Sequence, residues 1–173
     1  MAQRLFRKRG YHATGLNDIL ELARAPKGSM YHHFPGGKEA IGVCVIQEIT
    51  RGLLGLLEQS RARSTEALLL QVGEKLATTM EKTDYEICAL FSAFAAERKS
   101  SPQLGTAVAT AYEGLVAAIA ARLQRDGLAQ RAAQEKAQVV TALLEGGSLL
   151  SQAQQNSAAF RLSYKQAAVF CKQ

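Results

Sequence analysis

The sequence has few of the residues from which catalytic, metal and disulfide sites are built. Its 173 residues include three cysteines, three histidines and no tryptophan. Cys44, Cys88 and Cys171 form no CxxC motif, so they predict neither a zinc site nor a disulfide framework and suit a reducing compartment. The chain also lacks a Gly-x-Ser-x-Gly elbow, a phosphate-binding loop and an HExxH motif. These absences argue against an enzyme, and we expect no cofactor.

Long hydrophobic runs and strand patterns are missing as well. No apolar run approaches the ~18–20 residues that a helix needs to cross a bilayer, and no signal-peptide pattern opens the chain. We therefore expect no membrane partner and a cytoplasmic location. No segment alternates apolar and polar residues with the period of a strand. With 47% hydrophobic residues available for a core, the sequence predicts an all-α globular protein.

Basic charge is concentrated at the N-terminal end. Residues 1–47 hold seven Lys and Arg residues against three acidic ones, whereas the remainder holds 14 against 12. All three histidines lie within the first 33 residues. A basic end on a nearly neutral body is the distribution expected for a polyanion partner. A solvated basic surface without such a partner would have the same charge.

Two short helices are predicted at this basic end. Residues 2–9 form a cationic helix that ends at Gly10, and because no capping residue precedes it we expect its beginning to lie outside this sequence. A second helix follows over residues 16–23, and Thr14 is placed to cap it or to contact a phosphate. Its buried stripe has the i, i+3, i+4, i+7 spacing of one helical face. The stripe comprises Leu16, Ile19, Leu20 and Ala23.

A third short helix carries polar, aromatic and cationic side chains. Pro26 stands in its first turn, where the fixed φ of proline suits helix entry. Met30 and Phe34, one turn apart, form its apolar side, and residues 35–37 end it. Two short helices joined by a tight turn, the second rich in groups that bond phosphates and base edges, are typical of a helix-turn-helix DNA-binding motif. The outward set comprises Lys27, Gly28, Ser29, Tyr31, His32 and His33.

The rest of the chain is predicted to be helical throughout. A long apolar helix runs from residue 38 to about 59, and a polar connector over residues 60–66 carries a capping signal at Ser64. Breaks at Thr-Asp, Ser-Ser-Pro, Asp-Gly and Asn-Ser then separate five more helices. We predict these helices over about residues 65–81, 85–98, 102–126, 131–154 and 157–171.

Four motifs follow one another at the N-terminal end. They are Leu-Phe-x3-Gly-Tyr-x2-Thr (5–14), Ile-Leu-x2-Ala (19–23), Lys-Gly-Ser-Met-Tyr-His-His-Phe (27–34) and Lys-Glu (38–39). Together they resemble the DNA-binding domain of the TetR family of bacterial repressors. The turn Ala-Pro-Lys-Gly-Ser and the loop Phe-Pro-Gly-Gly-Lys-Glu are further similar to the LmrA/YxaF-like branch. The resemblance implies a three-helix DNA-binding domain over residues 1–46 and a helical ligand-binding and dimerisation domain over residues 47–173.

The resemblance also implies a function and its partners. A homodimer would place one recognition helix of each subunit in the major groove of a palindromic double-stranded DNA operator. A small apolar or aromatic effector would bind in the body and release the protein from DNA. The resemblance thus implies a repressor that associates with the nucleoid. The matched motif assigns phosphate contacts to Thr14, Tyr31 and Lys38, and contacts with bases or flanking backbone to Lys27, Ser29, His32 and His33.

Two features depart from the family's pattern. Arg24 stands in the turn where Gly is usual, at a position that commonly needs φ > 0. This would strain Arg24 by about 1 kcal/mol. A phosphate contact would offset the strain, or the turn has another shape. The Phe-Pro-Gly-Gly-Lys loop is one residue longer than the commoner Phe-x-Ser-Lys, which affects where Lys38 lies.

Apolar residues of the body could line an effector pocket. Apolar clefts with a few polar groups are the usual ligand sites, although side chains at helical spacing are as readily explained as ordinary core. By analogy with the family, the pocket set comprises Leu76, Met80, Cys88, Phe91, Phe94, Val108 and Tyr112.

The last two helices could supply a four-helix dimer interface. Their apolar residues alternate with small ones that permit close helix packing, and intramolecular core is the alternative interpretation. Gly146 and Gly147 either allow close packing across a dimer or mark a kink. The interface set comprises Val140, Leu144, Ser148, Ser151, Phe160, Tyr164 and Ala167.

Two further interpretations compete with the DNA-binding one. A helical dimeric adaptor, or a small-molecule-binding protein that does not regulate DNA, would share the same body. The histidines could instead suggest a metal site with His12 as a third ligand. His32 and His33 are adjacent on one helix and point about 100° apart, which disfavours a common ion.

Overall fold

The computed structural model describes residues 1–85 and 90–172, and within them it is helical with no strand, as the sequence predicts. The three N-terminal helices agree with prediction: α1 spans Ala2–Arg9, α2 spans Leu16–Ala23 and α3 spans Lys27–His33. The remaining elements are α4 (Gly37–Gln59), α5 (Thr65–Lys82), α6 (Leu90–Ala95), a 3-10 turn (Ala96–Lys99), α7 (Pro102–Arg125), α8 (Gln130–Gln154) and α9 (Ala158–Lys172).

One predicted helix is shorter than expected. The sequence predicts a helix over 85–98, but Asp84 and Tyr85 have φ values of 49° and 58°. The Tyr85 N–H donates to the Met80 carbonyl at 2.9 Å, which closes the end of α5 rather than starting a new helix. The part of this prediction over residues 86–89 lies outside the described residues.

The connector before α5 is held by side chains. The Ser64 hydroxyl accepts the Ala67 N–H at 3.2 Å, so the predicted cap is confirmed. The Thr65 N–H donates to the Asp126 carboxylate at 2.7 Å. Asp126, directly after α7, thereby fixes where α5 begins.

The described chain forms two compact units that do not follow its linear order. The first unit contains residues 1–50 and 90–111, and the second contains residues 51–89 and 112–173. The division predicted from sequence falls at residue 46 and stays a prediction. The grouping differs from it in two respects: the first unit extends to residue 50, and it includes α6, the 3-10 turn and the start of α7.

Aromatic rings form the centre of the first unit. The Phe6 ring centroid lies 5.5 Å from that of Tyr11 and 5.6 Å from that of Phe94. Phe6 and Phe94 are almost fully buried. A Cβ at Gly42 would lie 2.7 Å from Leu104 Cδ2 and 3.3 Å from the Tyr11 ring, so only glycine lets α4 approach this cluster closely. Residues from α6 and α7 thus complete the core beneath the helix-turn-helix segment.

Helices α5, α7, α8 and α9 supply the core of the second unit. Leu68, Leu123 and Val140 are completely buried there. A Cβ at Gly73 would lie 2.5 Å from Tyr164 Cγ, so this glycine lets the Tyr164 ring pack directly on α5. This packing fixes one face of α9 against its own chain.

Two helices are, by length and composition alone, apolar enough to cross a membrane: Gly37–Gln59 and Pro102–Arg125. The expectation that no such run exists is therefore wrong, since an 18-residue window of each holds at most two charged side chains. Ile46 of the first helix is 1% exposed, and Leu123 of the second is 0% exposed. Core helices of soluble proteins meet the same two criteria.

Candidate nucleic-acid interface

Asp18, rather than Thr14, caps α2. The N-cap residue is Gly15, and its N–H donates to the Asp18 carboxylate at 2.7 Å. Thr14 is completely buried, and its hydroxyl donates to the Gly10 carbonyl at 2.7 Å. The prediction that Thr14 caps α2 is therefore wrong. Because this side chain is buried and its hydroxyl donates to Gly10, it exposes no group to a phosphate, and the predicted phosphate contact stays a prediction.

Arg24 has the left-handed backbone that the family's usual turn implies for this position, with φ 50° and ψ 38°. The N–H groups of Arg24 and Ala25 donate to the Glu21 and Leu20 carbonyls, each at 3.1 Å, which ends α2 tightly. Pro26 is the N-cap of α3 rather than a first-turn residue, because its ψ of 145° is extended. The exposed Arg24 side chain leaves this turn toward solvent.

Helix α3 presents a polar face to solvent. Met30, 6% exposed, holds the helix on the first unit's core, and the half-buried Phe34 follows at its end. A Cβ at Gly28 would meet nothing within 4 Å, so the surface in front of this residue is open. Tyr31 exposes 44% of its surface. The other exposed residues of this face are Lys27, Gly28, Ser29, His32 and His33.

Lys38 does not point freely outward from the start of α4. Its Nζ donates to the Tyr11 carbonyl at 3.1 Å and lies 4.4 Å from the Tyr11 ring centroid. The preceding residue, Gly37 at the start of α4, has φ 62°, a conformation that suits glycine. This geometry differs from the phosphate contact that the family motif implies for Lys38.

Glu39, the next residue, also turns inward. Its Oε1 accepts the Ser101 hydroxyl at 2.5 Å and the Gln103 N–H at 3.2 Å. His12 contacts the buried Glu97 carboxylate. The sequence analysis did not predict the contacts of Glu39 with Ser101 and Gln103, because the Ser-Ser-Pro stretch indicated only a helix break.

Metal ligation finds no support in residues 1–85 and 90–172. Within them no group of three or more His, Cys, Asp or Glu residues could hold an ion. The His32 and His33 rings lie 5.2 Å apart, edge to face. Cys44 and Cys171 are free thiols, and burial raises the pKa of Cys171 to about 11.

The predicted pocket set is divided between the two units. Phe91, Phe94 and Val108 are buried in the first unit, where Phe94 belongs to the aromatic core. Leu76, Met80 and Tyr112 belong to the second unit. Cys88 lies outside the described residues.

Tyr112 is the most polar member of the predicted pocket set. Its hydroxyl hydrogen-bonds to the Glu145 carboxylate. Burial chiefly, and then the charge of Glu145, raise the pKa of this phenol. The pair therefore places a polar contact among the apolar helices of the second unit.

Most residues of the predicted dimer set lie inside their own chain rather than on its surface. Val140, Ser151, Phe160, Tyr164 and Ala167 are buried within their own chain, while Leu144 and Ser148 are half-buried. Burial of these five fits the intramolecular alternative, and the dimer set stays a prediction. Both helices have two apolar faces at helical spacing, and the spacing alone does not say which one the chain covers. The exposed apolar residues of α8 and α9 are Val139, Leu143, Leu149, Leu150, Leu162, Val169 and Phe170.

Comparison with known proteins adds the following findings. Residues 1–41 match the family model of bacterial regulatory proteins of the tetR family, and residues 65–166 match the C-terminal domain of LmrA/YxaF-like transcriptional regulators. Over 162 residues the chain is 34% identical to the HTH-type transcriptional regulator LmrA of Bacillus subtilis, covering 90% of this chain and 85% of that protein. It is 33% identical over 154 residues to the uncharacterized regulator YxaF of the same organism, with 87% and 80% covered.

Solved structures agree on the fold. A regulatory protein TetR from Rhodobacter sphaeroides superposes with a TM-score of 0.84 at 20% identity, covering 98% of this chain and 94% of that chain. A TetR transcriptional regulator from Legionella pneumophila superposes with a TM-score of 0.82 at 21% identity, covering 96% and 90%. At these identities the likeness is one of fold.

Proposed function

The chain belongs to the TetR family of bacterial transcriptional regulators, in its LmrA/YxaF-like branch, and from this premise we propose that it is a homodimeric repressor released from a palindromic operator by a small effector. The family and the matched relatives are transcriptional regulators, not enzymes. A family of soluble DNA-binding regulators implies a cytoplasmic location. Operator binding would add an association with the nucleoid.

The exposed polar face of α3 is the observation that carries the proposal. This face stands on the part of the chain that matches the family's DNA-binding domain. Lys27 and Ser29 lie in its first turn, where recognition helices contact base edges. Tyr31, exposed one turn later, is placed to donate its hydroxyl to a phosphate. Arg24 adds a cation at the turn, and His32 and His33 add polar groups beside it.

Dimerisation is supported by an apolar face that the chain itself leaves uncovered. On α8, Val139, Leu143 and Leu150 follow one helical face, and a Cβ added at Gly146 on that face would meet nothing within 4 Å. On α9, Leu162 and Val169 are 57% and 51% exposed. Contiguous exposed apolar surface of this kind marks an interaction site, and a two-fold axis would pair it with itself.

Effector binding is proposed for the helical body. Ligand sites combine apolar walls with a few placed polar groups. Within the second unit, Leu76 and Met80 supply apolar surface, and the Tyr112 hydroxyl bonded to Glu145 supplies the polar contact. A small apolar or aromatic molecule with one hydrogen-bonding group suits this combination.

Titration of DNA binding at fixed salt tests the proposal. Lys27→Ala and Ser29→Ala should change the affinity ratio between matched and scrambled operators, because these residues face bases. Tyr31→Phe should weaken both DNAs alike, because a phosphate carries no sequence information. Equal, unchanged affinity in all three variants would defeat the proposal. Failure of the wild-type protein to bind any genomic fragment would favour a helical adaptor.

A further inference from the structure

The first turn of α4 carries two adjacent side chains that both turn inward, Lys38 and Glu39. We propose that they form a clamp that positions the DNA-binding helices, so that Lys38 acts by positioning rather than by contacting phosphate. By the same reasoning Ser101, far outside the helix-turn-helix sequence, is a further positioning residue for DNA binding. We use "α4 clamp" below for Lys38 and Glu39 with their partners Tyr11, Ser101 and Gln103. The proposal rests on the DNA-binding function proposed above.

The Lys38 side of the α4 clamp holds the loop between α1 and α2. The Nζ atom bonds the Tyr11 carbonyl at 3.1 Å and lies over the ring at 4.4 Å, so two separate attractions act on one ammonium. The same carbonyl accepts the Thr14 N–H at 3.3 Å. Swinging Nζ outward to a phosphate would break both contacts with Tyr11, which is only 9% exposed.

The Glu39 side holds the start of α7. This helix begins at Pro102, so the Gln103 N–H bonded by Glu39 is one of the donors that its first turn leaves unsatisfied. A carboxylate at a helix N-terminus is also favoured by the helix dipole. Ser101, 5% exposed, donates its hydroxyl to the same Oε1. Glu39 therefore caps a helix that starts more than sixty residues further along the chain.

Tyr11 closes the clamp into a ring. Its carbonyl binds Lys38, and its phenol lies beside the Ser101 hydroxyl. Ser101 in turn donates to Glu39, which adjoins Lys38 in the chain. Each member of this ring is held by two others, so loss of one bond loosens the rest.

The ring matters for DNA because only residues 34–36 separate α3 from α4. The first turn of α4 therefore sets where α3 stands relative to the α1–α2 loop. A loosened clamp would leave the contact residues of α3 intact but less well placed, which costs affinity without removing a phosphate contact.

Salt-dependent binding of the full chain to its selected DNA separates the two roles of Lys38. Removing a phosphate contact lowers the slope of log K against log salt by about 0.9. We expect Lys38→Met and Ser101→Ala each to weaken binding about three- to tenfold with the slope unchanged. Arg24→Gln removes the exposed cation of the turn before α3 and should lower the slope. A lowered slope in Lys38→Met would overturn the proposal.

Two further comparisons of DNA affinity distinguish loss of the clamp from a general loss of folding. The effects of Lys38→Met and Ser101→Ala should not add in the double variant, because both break one ring; additive effects would contradict it. Glu39→Gln keeps an oxygen that accepts both bonds, so it should bind more tightly than Glu39→Ala, and equal loss in the two would count against the clamp.

Amide hydrogen exchange without DNA tests the clamp independently of the proposed function. The amides of residues 11–14 and 103–105 should exchange faster in Lys38→Met than in the wild type, and unchanged protection would overturn the clamp. If the wild type binds no DNA, and Lys38→Met still exchanges faster than the wild type at these amides, the proposed function is refuted and the clamp is supported.

Discussion

Replacing Leu150 by glutamate should prevent the proposed dimer from forming. Leu150 lies on the exposed apolar face of α8, where 53% of its surface is open to solvent. Full burial of a leucine side chain contributes about 1.5–3 kcal/mol, so covering this half contributes about 1–1.5 kcal/mol in each subunit. A symmetric interface counts the residue twice, giving about 2–3 kcal/mol for the dimer.

This estimate corresponds to a loss of about 30- to 150-fold in the dimer dissociation constant from truncation of the side chain alone. Glutamate adds a larger penalty, because two carboxylates would be buried in an apolar interface without a cation. The variant should therefore be monomeric at micromolar concentration. Because the chain's own core does not use this face, its helix content should not change.

Sedimentation equilibrium measures the outcome directly. The wild type should sediment at about twice the chain mass of 18.7 kDa and the variant at the chain mass. Leu70→Glu is the matched control, since Leu70 on α5 is 43% exposed but lies off the α8–α9 face. A dimeric Leu150→Glu protein, or a Leu70→Glu protein that dissociates equally, would refute the assignment of this face.

Three other predictions concern stability. Gly147→Ala should destabilise the fold by about 1–3 kcal/mol in urea unfolding, because the new Cβ would collide with the Ser163 side chain and lie 3.2 Å from the Ala159 carbonyl. Gly52→Ala, whose Cβ meets nothing within 4 Å, should instead gain about 0.5–1 kcal/mol, and the reverse order would contradict the packing described. Arg24→Gly should raise the unfolding free energy by up to about 1 kcal/mol, since the left-handed turn would no longer be strained; a clear loss would argue against that strain. Ser157 and Arg161 donate hydrogen bonds to Glu81 and hold its pKa below the ordinary 4.5. A lowered carboxyl pKa stabilises the fold above pH 4.5, and this contribution is lost as pH falls through the folded value. Glu81→Gln should therefore flatten the decline of stability on acidification, and a decline as steep as that of the wild type would contradict this.

The helices of the helix-turn-helix segment were predicted well because the residue patterns that define them lie within a few residues of one another. The apolar stripe of α2 depends on neighbours within a few residues, as does the Ser64 cap further along the chain. The left-handed Arg24 followed from the family's usual turn. Family membership, predicted from four short motifs, is confirmed. The predicted Thr14 cap was wrong because the helix begins one residue later, at the N-cap Gly15, and the Thr14 hydroxyl donates to the Gly10 carbonyl instead.

The errors elsewhere come from contacts between distant segments. Nothing in the sequence near Phe94 indicates that its ring packs on Phe6 rather than in an effector pocket. The spacing on α8 marks two apolar faces equally, and only the packed chain distinguishes buried Val140 from exposed Val139. Lys38 likewise occupies the position at which the family motif implies a phosphate contact. Its side chain instead bonds the carbonyl of Tyr11, 27 residues earlier in the chain.

Selection of bound fragments from random double-stranded DNA tests the central claim most directly. The full chain is mixed with the DNA pool, and retained fragments are sequenced over several rounds. A dimeric helix-turn-helix protein should enrich inverted half-sites whose centres lie about 10 base pairs, or a multiple of that, apart. Lys27→Ala protein should enrich a different half-site. A pool that stays random with the wild-type protein would contradict the claim that this chain is a sequence-specific DNA-binding regulator.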